Sequence, residues 1–511
     1  MPAADASLSP VEPLSQTERE YFPTVRQFFV LLLIYFTLQV ILRVCISSSL
    51  DLDESEQLVL TQKLSWGYGS QPPLYTWLQF GFFKVFGLSV FGLSFLKNIL
   101  LFCTYVFTYL NARFITRRHL AGVAAAASLL FIPQIAWESQ RDLTHSVLSA
   151  TFVCVTLFSF LRLTQQRSVA AYVLFGLCAG LGVLSKYNFA LVLVALALGA
   201  LFTREFRSVI LDKRFLFAGL IAVLVILPNL LWAKNHPDLA LRAAGKFKIQ
   251  ESSRWLAAIA SGLKDLVVCS ITFFGACALI YGIIFWKRRG PAARNPYVSL
   301  LLRMLLVSYG LIVLAIVVFR ISNIRDRWLQ PILISSPVLA IAWLQNRLDA
   351  VRLKWILALA VTAMIAVTAA LHGRIIWAEQ LQRTQPWNRP YDALARQLKS
   401  SIGSASTVIT DTTLLAGNLR LNIPDRIFTT PELAGLFTRQ TNNVALAWDA
   451  GSDPTGKKSN HRQSHDWPPP ENLADFAGKS GIKLDPAQAQ YFDAVYKYHK
   501  TRRMKIGVLV K

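Results

Sequence analysis

Apolar runs of about 18 residues or more recur along the first three quarters of the chain, split by short polar stretches, and this pattern predicts a polytopic helical membrane protein. About eleven spans are expected, near 27–45, 91–112, 120–136, 143–161, 169–185, 187–203, 215–233, 264–286, 304–320, 328–345 and 354–371. Residues 46–90 break the rhythm, being too long for a hairpin and too interrupted for a span. Two amphipathic pieces there, 54–65 and 74–87, are expected to lie along the membrane surface. Between them Gly67-Tyr68-Gly69-Ser70-Gln71-Pro72-Pro73 forces a turn, because Pro73 disfavours helix at Pro72 and glycine permits unusual dihedrals. Beyond residue 375 the pattern becomes mixed. Strand-like Thr407–Thr410, Arg426–Thr429 and Lys505–Val510, with helix-like 389–401 and 485–499, predict a small α/β domain over 376–511. The Ser-, Asn-, Lys-, His- and Pro-rich stretch 450–471 reads as a loop. The organisation expected is a tail over 1–26, a transmembrane module over 27–375, and the C-terminal domain.

Composition agrees with a membrane protein. Of 511 residues, 54% are hydrophobic and only 16% charged, against roughly 25% charged in a soluble domain. Met1–Thr24 is polar and proline-dotted, and the first apolar run lacks a small-residue cleavage site, so no removable signal is expected. The net charge of +24 does not indicate a nucleic-acid partner. Its basic residues fall in short clusters between apolar runs, as membrane topology and contact with anionic lipids require, without an aromatic-interleaved basic patch. With the N-terminus inside, every inside loop is basic, so the loop 46–90 and the C-terminal domain face outside. Two outside stretches are basic too, 234–263 with Lys234, Arg242, Lys246, Lys248 and Arg254, and 320–327 with Arg320, Arg325 and Arg327. Arginine's planar fork suits phosphate oxygens, although an outer basic residue also meets lipid headgroups. Cys45, Cys103, Cys154, Cys178, Cys269 and Cys277 lie in or beside apolar runs, without metal-ligand spacing or a disulfide framework.

The candidate chemistry starts at Asp51-Leu52-Asp53-Glu54-Ser55-Glu56, just after the first span. An N-cap and a first-turn acid would account for one or two of these carboxylates, fewer than the four present. Carboxylates at a membrane boundary also suit a general base that deprotonates an attacking hydroxyl, with a neighbour that orients it or holds a cation. Further along lie Pro72-Pro73-Leu74, then Gly180-Leu181-Gly182-Val183-Leu184-Ser185-Lys186-Tyr187, Leu227-Pro228-Asn229-Leu230-Leu231-Trp232, and Arg325-Asp326-Arg327-Trp328-Leu329-Gln330-Pro331.

This ordered set, over roughly residues 25–375, resembles the GT-C glycosyltransferases of the protein O-mannosyltransferase-like superfamily, and among them bacterial lipid A aminoarabinose transferases and rhizobial lipopolysaccharide galacturonosyltransferases. The resemblance implies inverting transfer of a sugar from a polyprenyl-phosphate donor to a glycolipid acceptor, lipid A or lipopolysaccharide core, at the periplasmic face of the bacterial inner membrane. Protein O-glycosylation with the same parts is an alternative, and a lipid or solute transporter is a rival of another class. The family's Asp-Glu pair maps onto Asp53-Glu54, with Asp53 the base. Lys186 falls where the family places a lysine, and is expected at the donor phosphate with Arg325 and Arg327. The family's further acid is either Asp142 or replaced by His145, with Arg141 alongside as a substrate-binding candidate and Glu138 in reserve. Pro72 and Pro73 shape the loop. Some relatives use a divalent cation, for which Asp53, Glu54, Glu56 and Asp142 are the candidate ligands. Gln71 stands where the family often has an acid or histidine, and Ser55-Glu56 where tyrosines often follow.

Overall fold

The computed structural model describes residues 22–240, 255–286, 295–437, 443–452 and 469–510. The expected tail, the basic residues Arg242, Lys246, Lys248 and Arg254, and most of the loop 450–471 lie outside the described residues. The apolar runs fold as helices α1 (Phe22–Ile46), α4 (Val90–Thr116), α5 (His119–Ser128), α6 (His145–Gln165), α7 (Val169–Ser185), α8 (Phe189–Leu201), α9 (Arg214–Asn235), α10 (Trp255–Phe285), α11 (Pro296–Phe319), α12 (Asp326–Leu333), α13 (Ser336–Leu344) and α14 (Ala350–Ile376). Between α1 and α4 lie the short α2 (Leu52–Leu60) and α3 (Leu74–Phe86). Among the described residues seven helices are long and apolar enough to cross a membrane, α7 and α8 are shorter apolar helices, and two bent pairs each make one further crossing if counted as a unit.

Each long helix is apolar all round but divides its faces. On α1, Phe28, Leu32, Tyr35, Phe36, Gln39 and Arg43 are buried at helical spacing, while Leu33, Ile34, Ile41 and Val44 point outward. Exposed leucines and isoleucines of this kind suit hydrocarbon rather than water. Small residues let backbones close up: a Cβ on Gly176 of α7 would sit 2.5 Å from the Ala218 carbonyl of α9, and one on Gly180 would meet Val225 at 2.8 Å.

The first bent pair positions the site. The segment from His119 to Phe131 turns by 74° into Gln134–Arg141 at Ile132-Pro133. Proline cannot continue the hydrogen-bonded ladder, so the chain bends there and carries Arg141 and Asp142 to the start of α2. The second pair, α12 into α13–Arg347, bends by 44° around Pro331 and Pro337.

The C-terminal domain has helices α15 (Tyr391–Ser401), α16 (Thr413–Asn422) and α17 (Glu471–Lys479), and strands β1 (Thr407–Thr410), β2 (Ile427–Thr429), β3 (Val444–Ser452), β4 (Gln490–Tyr496) and β5 (His499–Val510). The sheet order is β2-β1-β3-β5-β4, parallel on the β2-β1-β3 side and antiparallel from β3 through β4. Strand alternation feeds two cores. Ala445 and Ala447 face α15 and α16, whereas Val444, Leu446 and Trp448 face α17. The expected helix over 485–499 is corrected: Gln490–Tyr496 is a strand, turned at Tyr498 with a positive φ of 58°. Its aromatic residues and Val495 favour a pleated surface over a helix.

This domain is fastened to the start of the membrane module. A Cβ on Gly417 of α16 would lie 2.3 Å from the Ser55 carbonyl of α2, so only glycine permits the approach. The buried Asn418 amide accepts from Leu50 N at 2.8 Å and donates to Ser55 Oγ at 3.0 Å. Gln62 donates to the Phe428 carbonyl and accepts from its amide, at 2.7 and 2.9 Å.

Candidate active site

Helix α2 begins with a capping box. Asp51 is the N-cap, accepting from Leu52 N at 2.8 Å, and Glu54 accepts from Asp51 N at 3.3 Å. The capping reading of the acidic cluster therefore accounts for Asp51, and for part of what Glu54 does.

Glu54 points into the protein. It is fully buried between Arg43 of α1 at 2.8 Å and Lys97 of α4 at 3.2 Å. Burial alone would raise its pKa, but the two cations and their hydrogen bonds outweigh it and hold the carboxyl at about 2. Arg43 also donates to the Ser47 and Ser49 carbonyls and lies 4.2 Å over the Trp387 ring, so one ion cluster ties α1, the loop, α4 and the C-terminal domain together.

Asp53 faces the other way and is half-buried. Its carboxylate accepts from Thr144 N at 3.4 Å, and its amide donates to Asp142 Oδ1 at 2.9 Å. Burial raises the Asp53 pKa, opposed chiefly by the positive charge of Arg327, then by the Thr144 amide, Lys97 and Lys186. Asp142 is buried, and burial followed by the charges of Asp53 and Asp51 pushes it up to about 8. Two carboxyl groups this close do not both ionise readily. They titrate as a pair that shares protons, with both carboxyls held above the usual aspartate range.

Lys186 caps the end of α7. Its ammonium donates to Ser146 Oγ and to the Arg327 carbonyl, both at 2.8 Å. Burial, then the Arg327 charge, lowers its pKa to about 7, with Asp53 and Asp326 opposing. The structure thus brings Asp53, Asp142, Lys186 and Arg327 together. Arg325 stands exposed at the start of α12. Arg141 pairs with Glu138 at 2.8 Å and with Asp51 at 3.4 Å, on the Asp51 side of the loop.

His145 is buried, 3.3 Å from the Gln57 amide nitrogen and 5.5 Å from the Tyr75 ring centroid. It lines a small pocket with Glu56, Gln71 and Pro72, while Pro73 precedes the first turn of α3. Among the described residues no three His, Cys, Asp or Glu side chains converge in an arrangement that could hold a metal ion. Of the four candidate acids, Glu54 is already paired with two cations, Arg43 and Lys97. Sequence reasoning passed over Arg43 and Lys97. The signal was present, since an isolated basic residue within an apolar run marks a buried partner.

A many-helix membrane module with an acidic first loop and a small C-terminal sheet domain is the architecture of the GT-C fold. A family model described as dolichyl-phosphate-mannose-protein mannosyltransferase matches residues 70–232. The lipopolysaccharide core galacturonosyltransferase RgtB of Rhizobium johnstonii is 36% identical over 401 residues, 78% of this chain and 81% of RgtB. RgtA of the same organism is 30% identical over 472 residues, 90% of this chain and 92% of RgtA. The crystal structure of ArnT from Cupriavidus metallidurans bound to undecaprenyl phosphate has the same fold, with a TM-score of 0.57 at 15% identity, covering 95% of this chain and 98% of ArnT. The chain belongs to the lipopolysaccharide galacturonosyltransferase family, and it is a multi-pass membrane glycosyltransferase.

Proposed function

We propose that the protein moves a hexuronic acid residue, such as galacturonate, from a polyprenyl phosphate to lipopolysaccharide core or lipid A at the periplasmic face of the bacterial inner membrane. RgtB and RgtA, both lipopolysaccharide core galacturonosyltransferases, support the sugar and acceptor. The undecaprenyl phosphate of the ArnT complex supports the donor carrier. The basic loops on the opposite face support the orientation.

The observation that carries the mechanism is that the Asp53 carboxylate lies in the field of Arg327 and Lys186, whose ammonium donates to the Arg327 carbonyl at 2.8 Å. Asp53 takes the proton of the acceptor hydroxyl as its oxygen attacks the anomeric carbon. The bond between that carbon and the donor phosphate oxygen breaks, with inversion, and the polyprenyl phosphate leaves as an anion. Lys186 and Arg327 meet the developing phosphate charge, so no acid need protonate the leaving group. Asp142 holds the loop through the Asp53 amide and shares protons with the Asp53 carboxyl. Glu54, sealed between Arg43 and Lys97, does not reach substrate and orients the loop.

Mass spectrometry of outer-membrane glycolipids from cells with the wild-type chain, no chain, or Asp53→Asn at matched level tests the reading. One hexuronic acid should disappear from lipid A or core in both the null and Asp53→Asn. Glycolipids unchanged in the null, with a glycoprotein losing a sugar instead, would move the acceptor to protein. That second reading has support in the description of the matched family model.

A further inference from the structure

Arg374 lies in the last turn of α14, where the helix dipole favours a cation. Its guanidinium carbon sits 4.8 Å over the Trp137 ring, and its Nε is buried without a hydrogen-bond partner. Among the described residues nothing forms a hydrogen bond or ion pair with Arg374. Asp51 and Glu138 are within its electrostatic reach, yet both already accept from Arg141. The buried Nε, beside the acidic loop, has lost water and gained no protein acceptor in return.

The position separates Arg374 from the donor-phosphate cations. The leading charges felt by Asp53 are Arg327, Lys97 and Lys186, whereas those around Arg374 are Arg141, Asp51 and Glu138. The site therefore has cations on two sides, and the second side is not needed for the phosphate. A planar guanidinium held over an indole face fits a carboxylate through two parallel hydrogen bonds. A neutral sugar offers no group of that charge and shape.

We propose that Arg374, held over Trp137, is the receptor for the carboxylate of a hexuronic acid in the reaction, either the transferred sugar or an acidic sugar of the acceptor glycan. This deepens the proposed function and rests on its uronic acid reading.

The full chain in lipid nanodiscs would be assayed with synthetic polyprenyl-phosphate galacturonate and polyprenyl-phosphate galactose, as wild type, Arg374→Ala and Arg374→Lys. Losing a charge-assisted pair should raise the KM for the uronosyl donor by about tenfold or more in Arg374→Ala. The galactosyl KM and the melting temperature should stay unchanged, with Arg374→Lys in between. If the carboxylate belongs to the acceptor, the same rise appears in the KM for acidic glycan, and an acceptor with esterified carboxylates shows none. Both results support the receptor and name its source. The inference falls if Arg374→Ala changes neither KM, or slows both donors equally. Saturation-transfer NMR with free D-galacturonate against D-galactose reads the same contact without turnover. Binding of galacturonate by the wild type and not by Arg374→Ala supports the receptor even if no uronosyl transfer occurs, an outcome in which the proposed function fails alone. Equal binding by both proteins overturns it.

Discussion

Asp53 and Glu54 are neighbours in sequence and opposites in physics. One helical step turns Glu54 into a sealed pocket where Arg43 and Lys97 hold it at about 2. The same step leaves Asp53 half-buried, where desolvation raises its pKa. A carboxylate fixed by two cations is a poor proton acceptor and a strong strut. One whose pKa is raised, with an amide to aim it, is a usable base. Residue type alone does not separate these roles; the direction each side chain leaves α2 does.

The largest effect expected is on chemistry at Asp53. Asp53→Asn should lower kcat by about 10²–10⁴ with little change in melting temperature, since a general base contributes about that much. A kcat within twofold of wild type would remove Asp53 from the base role. Lys186→Ala should cost about 10²–10³ in kcat, the scale of one lost electrostatic stabiliser of the transition state, read in single-turnover assays.

Next is the strut. Glu54→Gln leaves Arg43 and Lys97 buried without their counter-charge and should destabilise the protein by about 3–5 kcal/mol, measured by thermal or denaturant unfolding. Its pH dependence follows from sign. The folded pKa is depressed, so the stabilisation is fully present above the unfolded value near 4.5 and is lost as pH falls through about 2. The loss between those values should vanish in Glu54→Gln.

The pH profile of kcat/KM sharpens the contrast further. The low-pH limb should follow deprotonation of Asp53 and sit above the ordinary aspartate value, because burial raises it. The high-pH limb should fall near 7 as Lys186 loses its proton, and flatten in Lys186→Arg, an always-charged replacement. Smallest is Gly417→Ala, whose added methyl would push α16 away from Ser55. It should cost about 1–3 kcal/mol of stability, the scale of an overpacked contact, and lower kcat less than Lys186→Ala does.

Much of the fold is legible in the sequence because apolar length and basic loops respond to the bilayer, a solvent with few solutions. Each expected apolar segment falls on a helix or on one of the bent pairs. The region 485–499 misled because Asp493, Ala494 and Lys497 read as helix formers while Tyr491, Phe492, Val495 and Tyr496 pair with β5, a partner distant in pattern if not in sequence. β3 went unseen for the same reason: its alternation matters only once α15, α16 and α17 cover the two faces. At the site, the ordered motifs single out Asp53, Lys186 and Arg327, and Asp142 only as an alternative to His145. The ion partners of Glu54 come from α1 and α4, and the Arg374–Trp137 stack joins residues more than 200 positions apart. No local spacing encodes such meetings.

The most direct test of the central claim sets Asp53→Asn and Glu54→Gln side by side in the full chain, with single-turnover sugar transfer and melting temperature recorded on each preparation. The account predicts that Asp53→Asn keeps its melting temperature and loses the transfer step, while Glu54→Gln melts several degrees lower and, at a temperature where it remains folded, transfers far faster than Asp53→Asn. A Glu54→Gln enzyme that is fully folded yet as inactive as Asp53→Asn would contradict it, and would put Glu54 in the chemistry.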